Sequence, residues 1–245
     1  MQISVRAEDG ERIEFECADN EASRWTCTAI LRGKTYPYLP FVEDVRVVFD
    51  VGANCGAATV HLARHYPHAR VHAFEPGSEA RAILERNVAR YPNVTVHPVG
   101  LFSADRDAKL YKGDRDLGQS SIFRRSGNLD EHEPIRLRDA GGWAREHGID
   151  RVDVLKVDVE GCEVDVLESL RDLVPTVKVL YVEYDSRGSR RALNRLLDDT
   201  HDLFVGTMLL DQGECVYLRR DLAELDDATE RLRELLRSSF APRQT

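Results

Sequence analysis

Residues 45–63 read VRVVFDVGANCGAATVHLA, and this stretch decides the fold. Branched apolar residues open it as a buried parallel strand requires, the run breaks at Asp50-Val51-Gly52-Ala53-Asn54-Cys55-Gly56, and a small-residue helical segment follows. Strand, glycine turn and helix in that order form a nucleoside-binding unit, with Gly52 and Gly56 letting the backbone turn tightly and approach a ligand. A dinucleotide fingerprint needs G-x-G-x-x-G, whereas this turn reads D-x-G-x-N-x-G. An acidic residue in the turn repels pyrophosphate and suits a ligand that carries positive charge and an amino group, as S-adenosylmethionine does. The second strand, residues 70–74, ends at Glu75, 25 positions after Asp50, where a carboxylate accepts both hydroxyls of a ribose.

Outward from this unit the chain alternates strand and helix, which predicts an α/β fold with a parallel sheet and right-handed crossovers. The pattern predicts a helix over 78–90 capped by Ser78, a strand over 93–99 broken by Gly100, a helix over 139–147 and a strand over 152–157 ending in Asp158 and Glu160. It continues with a helix over 163–170, a strand over 177–183 and a helix over 189–198. Short strands at 108–111, 120–123 and 134–137, separated by Gly113, Gly118 and Gly127, predict a small β insertion. Segments 203–210 and 214–218 flank Asp211-Gln212-Gly213 as a hairpin, so the last strand runs antiparallel. Residues 1–40 form an extension, with a hairpin about Asp9-Gly10, a short helix and a stiff Tyr36-Pro37-Tyr38 segment. It covers either the mouth of the ligand site or the sheet edge. Residues 41–220 make the main domain, and residues 221–245 an amphipathic helix and tail that docks on its own domain or joins a homodimer.

The 245 residues, 42% of them hydrophobic, suit one large domain with elaborations. No apolar run reaches the roughly 20 residues of a membrane span, and the acidic N-terminus lacks the regions of a signal peptide, so we expect a cytoplasmic protein. Five scattered cysteines without a C-x-x-C pair predict free thiols. A formal net charge of −9 opposes broad nucleic-acid binding. His61, His65, His68 and His72 suggest zinc at first sight, but lack the glutamate that such a helix motif needs, and we read them as solvated helix residues. His132 and His147 are substrate-side candidates.

With the glycine turn and the later Lys156-Val157-Asp158-Val159-Glu160-Gly161 segment both in view, the chain resembles the FkbM family of S-adenosylmethionine-dependent methyltransferases. Three motifs carry the resemblance: Asp50 to Gly56, then Ala73-Phe74-Glu75-Pro76, then Leu155 to Glu163. Gly118-Gln119-Ser120-Ser121 resembles a fourth, and Arg138-Asp139 departs from the family's Leu-Asp. The resemblance implies a class I methyltransferase, or Rossmann-like, fold: a seven-stranded, mostly parallel sheet with helices on both faces and its last strand reversed. It implies that Asp50, Gly52, Asn54 and Gly56 hold the methionine end of the donor, Glu75 with Pro76 the ribose, and Gly100 with Leu101 the adenine. It also implies a hydroxyl acceptor on a sugar, oligosaccharide or natural product.

Asp158, at the switch point of the sheet, is the first candidate for the proton acceptor beside the methyl group, with Glu160 in support. Lys156 either neutralises this carboxylate group or snorkels at a sheet edge. Glu183 and Asp185 end the neighbouring strand and, with Asp158, offer oxygen ligands for Mg²⁺; the same carboxylates also serve as caps or ion-pair partners. Ser120, Ser121 and Glu183 are the candidates for contact with the acceptor, and the polar stretch with Arg115, Arg124 and Arg125 suits a hydroxylated or anionic one. The alternatives are a protein that binds the donor without catalysis and a nicotinamide oxidoreductase, the latter disfavoured by the missing glycine and by the lack of a Tyr followed four positions later by Lys.

Overall fold

The computed structural model describes residues 1–113, 120–123 and 128–240. Strand β1 (Gln2–Arg6) pairs antiparallel with β2 (Arg12–Glu16), and helix α1 (Glu21–Leu31) follows, capped by the Asn20 side chain. The sheet begins with β3 (Val47–Val51), every residue of which is buried, as a central strand covered on both faces must be. After it come α2 (Ala57–His65), β4 (Arg70–Phe74), α3 (Ser78–Val88) and β5 (Val94–His97). A three-stranded insertion follows, built from β6 (Gly100–Phe102), β7 (Arg106–Gly113) and β8 (Asn128–Asp139) in the order β6-β8-β7. The main sheet resumes through α4 (Ala140–Glu146), β9 (Val154–Val157), α5 (Glu163–Ser169), β10 (Val179–Tyr184) and α6 (Arg187–Leu197). It closes with the hairpin of β11 (His201–Met208) and β12 (Gly213–Arg219). Two helices follow among the described residues, α7 (Arg220–Ala223) and α8 (Asp226–Phe240).

The seven strands lie in the order β11-β12-β10-β9-β3-β4-β5. Neighbours are parallel from β10 through β5, and β12 runs antiparallel to both β10 and β11, so it is the one reversed strand. Helices cover both faces. One core joins α1, α2 and α3 to the N-terminal hairpin through Ile13, Phe15, Leu31, Leu62 and Leu84. The other joins α4, α5 and α6 to the sheet through Phe49, Trp143, Leu155, Leu167 and Leu193. The chain leaves β3 toward β4 on one side and returns as β9 on the other, so the β3/β9 boundary is the switch point at which open α/β sheets bind ligands.

Several local expectations are corrected. Gly77, not Ser78, caps α3; Ser78 takes the first helical position and its N–H donates to the Glu133 carboxylate. Gly100 starts β6 instead of merely breaking a strand, because its residues pair with β8. Residues 120–123 form no strand and contribute one bridge, Tyr111 to Ser121; Gly118 and Gly127, with Arg115, Arg124 and Arg125, lie outside the described residues. The N-terminal hairpin covers helices, not a sheet edge: Arg64 of α2 pairs with Asp9 and Glu11, and Arg86 of α3 with Glu16. Arg138 is tied at the surface to Asp105 and Glu146, while Asp139 caps α4. The tail docks on the N-terminal segment, with Ala228 buried and Arg231 donating to the Tyr38 carbonyl at 3.0 Å. Among the described residues no helix is long and apolar enough to cross a membrane.

Candidate active site

The turn after β3 carries Gly52, Asn54 and Gly56 at φ of 79°, 49° and 91°. A Cβ on Gly52 would stand 1.9 Å from the Asp158 carbonyl oxygen, and one on Gly56 2.5 Å from Leu84 Cδ1. Both glycines are therefore required by the approach of β9 and α3 as well as by the turn. Glu75, only 8% exposed, braces the turn: Oε2 accepts the Asn54 N–H at 2.8 Å and Oε1 the Gly77 N–H at 2.7 Å. Burial pushes its carboxyl up to about 7, against the pull of those two N–H groups and of Lys156.

Below the turn lies a buried ion cluster. The parallel register sets Asp50 of β3 beside Lys156 of β9. Lys156 Nζ is 3.3 Å from Asp50 Oδ1 and 3.5 Å from Asp158 Oδ2, and donates to the Gly52 carbonyl at 2.5 Å. Asp50 Oδ2 accepts from Thr59 Oγ1, and the residue has no exposed surface. Asp50, expected at the methionine end of the donor, lies fully buried beneath the turn and opposite Lys156, which holds the turn from below. Lys156 sits on a central strand, so the sheet-edge reading is overturned and the neutralising one stands.

Two clefts open above the cluster and meet at Gly52, Asn54, Asp158 and Glu160. The first spans about 710 Å³, its open mouth included, between Glu75, Pro76, Gly100 and Leu101 on one side and Leu110, Ile122, Ile135 and Leu137 on the other. Ser120 and Ser121, expected to contact the acceptor, line this first cleft. Ser121 Oγ donates to the Glu160 carbonyl at 2.8 Å. The second cleft spans about 840 Å³, its open mouth included, and is walled by Glu183 and Glu214 from the sheet and by Thr26, Ile30 and Tyr36 from the N-terminal extension.

Asp158 lines both clefts. Its Oδ2 accepts from the Tyr36 hydroxyl at 3.1 Å. Burial raises this carboxyl, but the Lys156 ammonium and hydrogen bonds from Glu183, Tyr36 and Lys156 outweigh it and hold it below the usual carboxylate value. Glu183 moves the other way, raised well above that range by burial, by the Asp158 charge and by their shared hydrogen bond. The pair is one anion sharing a proton.

Oxygens of Asp158, Glu160 and Glu183 lie within 4.8 Å of one another and form the metal-ligand set found among the described residues. Asp185 is not in it: β10 ends at Tyr184, and Asp185 turns to accept from Ser189 Oγ at the start of α6. Glu160 takes its place because it adopts φ 54° in a turn that Glu163 holds, Oε1 accepting the N–H groups of Val159 and Gly161. Of the four histidines read as solvated helix residues, His68 is exposed but follows α2, whereas His61 is buried, His65 is half-buried and His72 is half-buried on β4. His61 is 1% exposed, its imidazole lowered to about 3 by burial and by His65, and His65 stacks on Tyr38. His147 stacks on Trp143 and His132 packs near Tyr111, and neither lines either cleft. Tyr36 and Glu214 were missed from sequence; Tyr36 stood in the aromatic segment of the extension that was read as covering either the mouth of the site or the sheet edge.

The Methyltransferase FkbM domain matches residues 50–234 of this chain. The chain is 33% identical over 184 residues to the AMB antimetabolite synthetase AmbE of Pseudomonas aeruginosa, an alignment that covers 60% of this chain and 9% of that protein. It is 29% identical over 222 residues to Methyltransferase 1 of Beauveria bassiana, covering 80% of this chain and 84% of the other. It is 24% identical over 157 residues to the 2-O-methyltransferase NoeI of Sinorhizobium fredii, covering 58% and 64%. The domain match takes in the glycine turn, Glu75, the Lys156–Glu163 segment and the reversed strand β12. The chain belongs to the FkbM methyltransferase family.

Proposed function

We propose that the chain transfers a methyl group from S-adenosylmethionine to a hydroxyl of a sugar, oligosaccharide or natural-product acceptor, with Asp158 as the proton acceptor. Family membership implies the donor, and the first cleft fits it. Asn54 Oδ1 is buried there without a hydrogen-bond partner among the described residues, and the Glu75 carboxylate faces the same space. Both are acceptors, suited to the ammonium and the ribose hydroxyls of the donor. Gly100, Leu101 and Leu137 give an apolar slot for the base. The bound donor supplies an electrophilic methyl group on a sulfonium sulfur. Asp158 is the observation that carries the reading: an ionised carboxylate at the junction of the two clefts, fixed by Lys156 and Tyr36. An alcohol is a weak nucleophile until its proton is removed, and a positioned base contributes roughly 10²–10⁴-fold. The relative named a 2-O-methyltransferase supports oxygen as the atom methylated.

The test is a screen of sugars and polyketide alcohols for S-adenosylhomocysteine release and product mass. With the acceptor in hand, Asp158→Asn is expected to lower kcat by about 10²–10⁴-fold while the affinity for S-adenosylhomocysteine changes only a few-fold. A variant that keeps wild-type kcat removes Asp158 as the base.

The 4.8 Å carboxylate cluster favours a second reading of the same step, in which Asp158, Glu160 and Glu183 hold Mg²⁺. A divalent ion there would lower the proton affinity of the acceptor oxygen. On this reading EDTA abolishes turnover and MgCl₂ restores it. Turnover unchanged by EDTA leaves proton removal to Asp158 alone.

A further inference from the structure

Two sulfurs meet where the N-terminal helix touches the glycine turn. Cys27 lies on the buried face of α1 with Ser23, Ile30 and Leu31, and Cys55 lies in the turn between Asn54 and Gly56. Their Sγ atoms are 3.4 Å apart, both residues are 4% exposed, and both line the second cleft. Methyl transfer uses neither thiol, and none of the five cysteines is in a disulfide. Such a contact between residues 28 apart in sequence, one of them outside the matched family domain, makes a modification site that no catalytic role explains.

We propose that Cys27 and Cys55 form a peroxide-sensitive thiol pair whose oxidation to a disulfide draws α1 onto the glycine turn and weakens donor binding. The cleft that both residues line gives a small peroxide its route to the sulfurs. One thiol, as its thiolate, attacks the O–O bond of hydrogen peroxide, which becomes one water and leaves a sulfenic acid. The second sulfur displaces the hydroxyl from the first, giving the disulfide and a second water. Two thiols are oxidised by two electrons, and one peroxide is reduced.

A disulfide bond is about 2.05 Å long, so the sulfurs must close by roughly 1.3 Å. The turn has little freedom to absorb that movement. The N–H groups of Gly52 and Ala53 are bound to the Phe74 carbonyl, the Cys55 carbonyl accepts from Asn87 Nδ2 at 2.8 Å, and the Asn54 N–H is held by Glu75. Displacement of Cys55 therefore falls on Asn54 and on its bond to Glu75, the two residues assigned to the donor. This consequence rests on the donor reading above; the formation of the disulfide does not.

The experiment uses the full chain, fully reduced and then exposed to hydrogen peroxide, with a non-reducing peptide map and calorimetric titration of S-adenosylhomocysteine. We expect an intact mass lower by two hydrogens, a Cys27–Cys55 cross-linked peptide, and alkylatable thiols falling from five to three as two are consumed. Affinity for S-adenosylhomocysteine should weaken by about tenfold, a change of roughly 1.4 kcal/mol, and recover with dithiothreitol. Peroxide-treated Cys27→Ser should show neither that cross-link nor a loss of affinity relative to its own reduced form. A wild-type map without the Cys27–Cys55 peptide overturns the proposal, as does a cross-linked protein whose affinity is unchanged. If the reduced protein binds no S-adenosylhomocysteine, the donor reading fails, and the peptide map still decides the pair.

Discussion

Lys156→Met lowers the stability of the fold by about 3–5 kcal/mol, seen as a fall in the urea midpoint at unchanged slope. The methionine matches the lysine stem in volume, so the loss is electrostatic. Lys156 is 3% exposed and is the cation for both Asp50 and Asp158. Without it Asp50 Oδ1, which among the described residues has no hydrogen-bond partner and faces only this ammonium, is left a buried carboxylate oxygen, and the Gly52 carbonyl loses its donor at 2.5 Å. Burial pulls the lysine's own pKa down, but Asp50, Asp158 and Glu75 raise it further, and the net shift is upward. A lysine whose folded value exceeds its unfolded value contributes in full below about pH 10.4. Its contribution is lost only as pH rises through the folded value, so the deficit of the variant is undiminished at neutral pH. Asp50→Asn added to Lys156→Met should return part of the loss, because the charge left stranded is then gone. A double variant no more stable than Lys156→Met would place the lysine's contribution in its carbonyl hydrogen bonds instead.

That cluster also marks the limit of what the sequence discloses. The strands β3, β4, β9 and β10 are legible because fully buried parallel strands are written as short apolar runs closed by glycine or acid, a local signal. Glu75 and Asp158 are legible for the same reason, each standing at the end of such a run. The partnership of Asp50 with Lys156 depends on cross-strand register between segments more than 100 residues apart, and the register alone seals Asp50 from the cleft. Tyr36 reaches Asp158 across 122 residues, through a segment whose only sequence signal is its aromatic and proline content. The exchange of Asp185 for Glu160 in the carboxylate cluster turns on backbone conformation. Strict alternation would set Asp185 on the same face as Glu183, but the strand stops one residue earlier. Glu160 enters through a positive φ, which glycine usually supplies and which here Glu163 enforces. His61 was misread because α1 and the Tyr36 segment pack over α2, burying a face that its polarity suggested was wet.

Glu75→Ala is expected to weaken S-adenosylhomocysteine binding by about 100-fold or more, since two hydrogen bonds to a charged acceptor are worth roughly 1.5–3 kcal/mol each. The same residue predicts a pH dependence whose sign differs between folding and binding. Its ordinary value of 4.5 rises to about 7 in the fold, because burial outweighs the Gly77 and Asn54 N–H groups. Between those values the folded free protein holds a proton that the unfolded chain has released. The contribution of Glu75 to stability is thus present below about 4.5 and is lost as pH rises through about 7. Ligand binding runs the opposite way. The ribose hydroxyls donate, so they select the ionised carboxylate, and affinity climbs toward about tenfold per pH unit below 7 and levels above it. Calorimetric titration of S-adenosylhomocysteine from pH 5.5 to 8.5 reads this directly, with proton release on binding at the low end. Glu75→Gln abolishes the dependence, because the amide does not titrate and always turns its NH₂ toward either the Asn54 or the Gly77 N–H. If the wild-type affinity is flat across that range, Glu75 is ionised throughout, and its carboxylate serves to hold the glycine turn without selecting the ligand by charge.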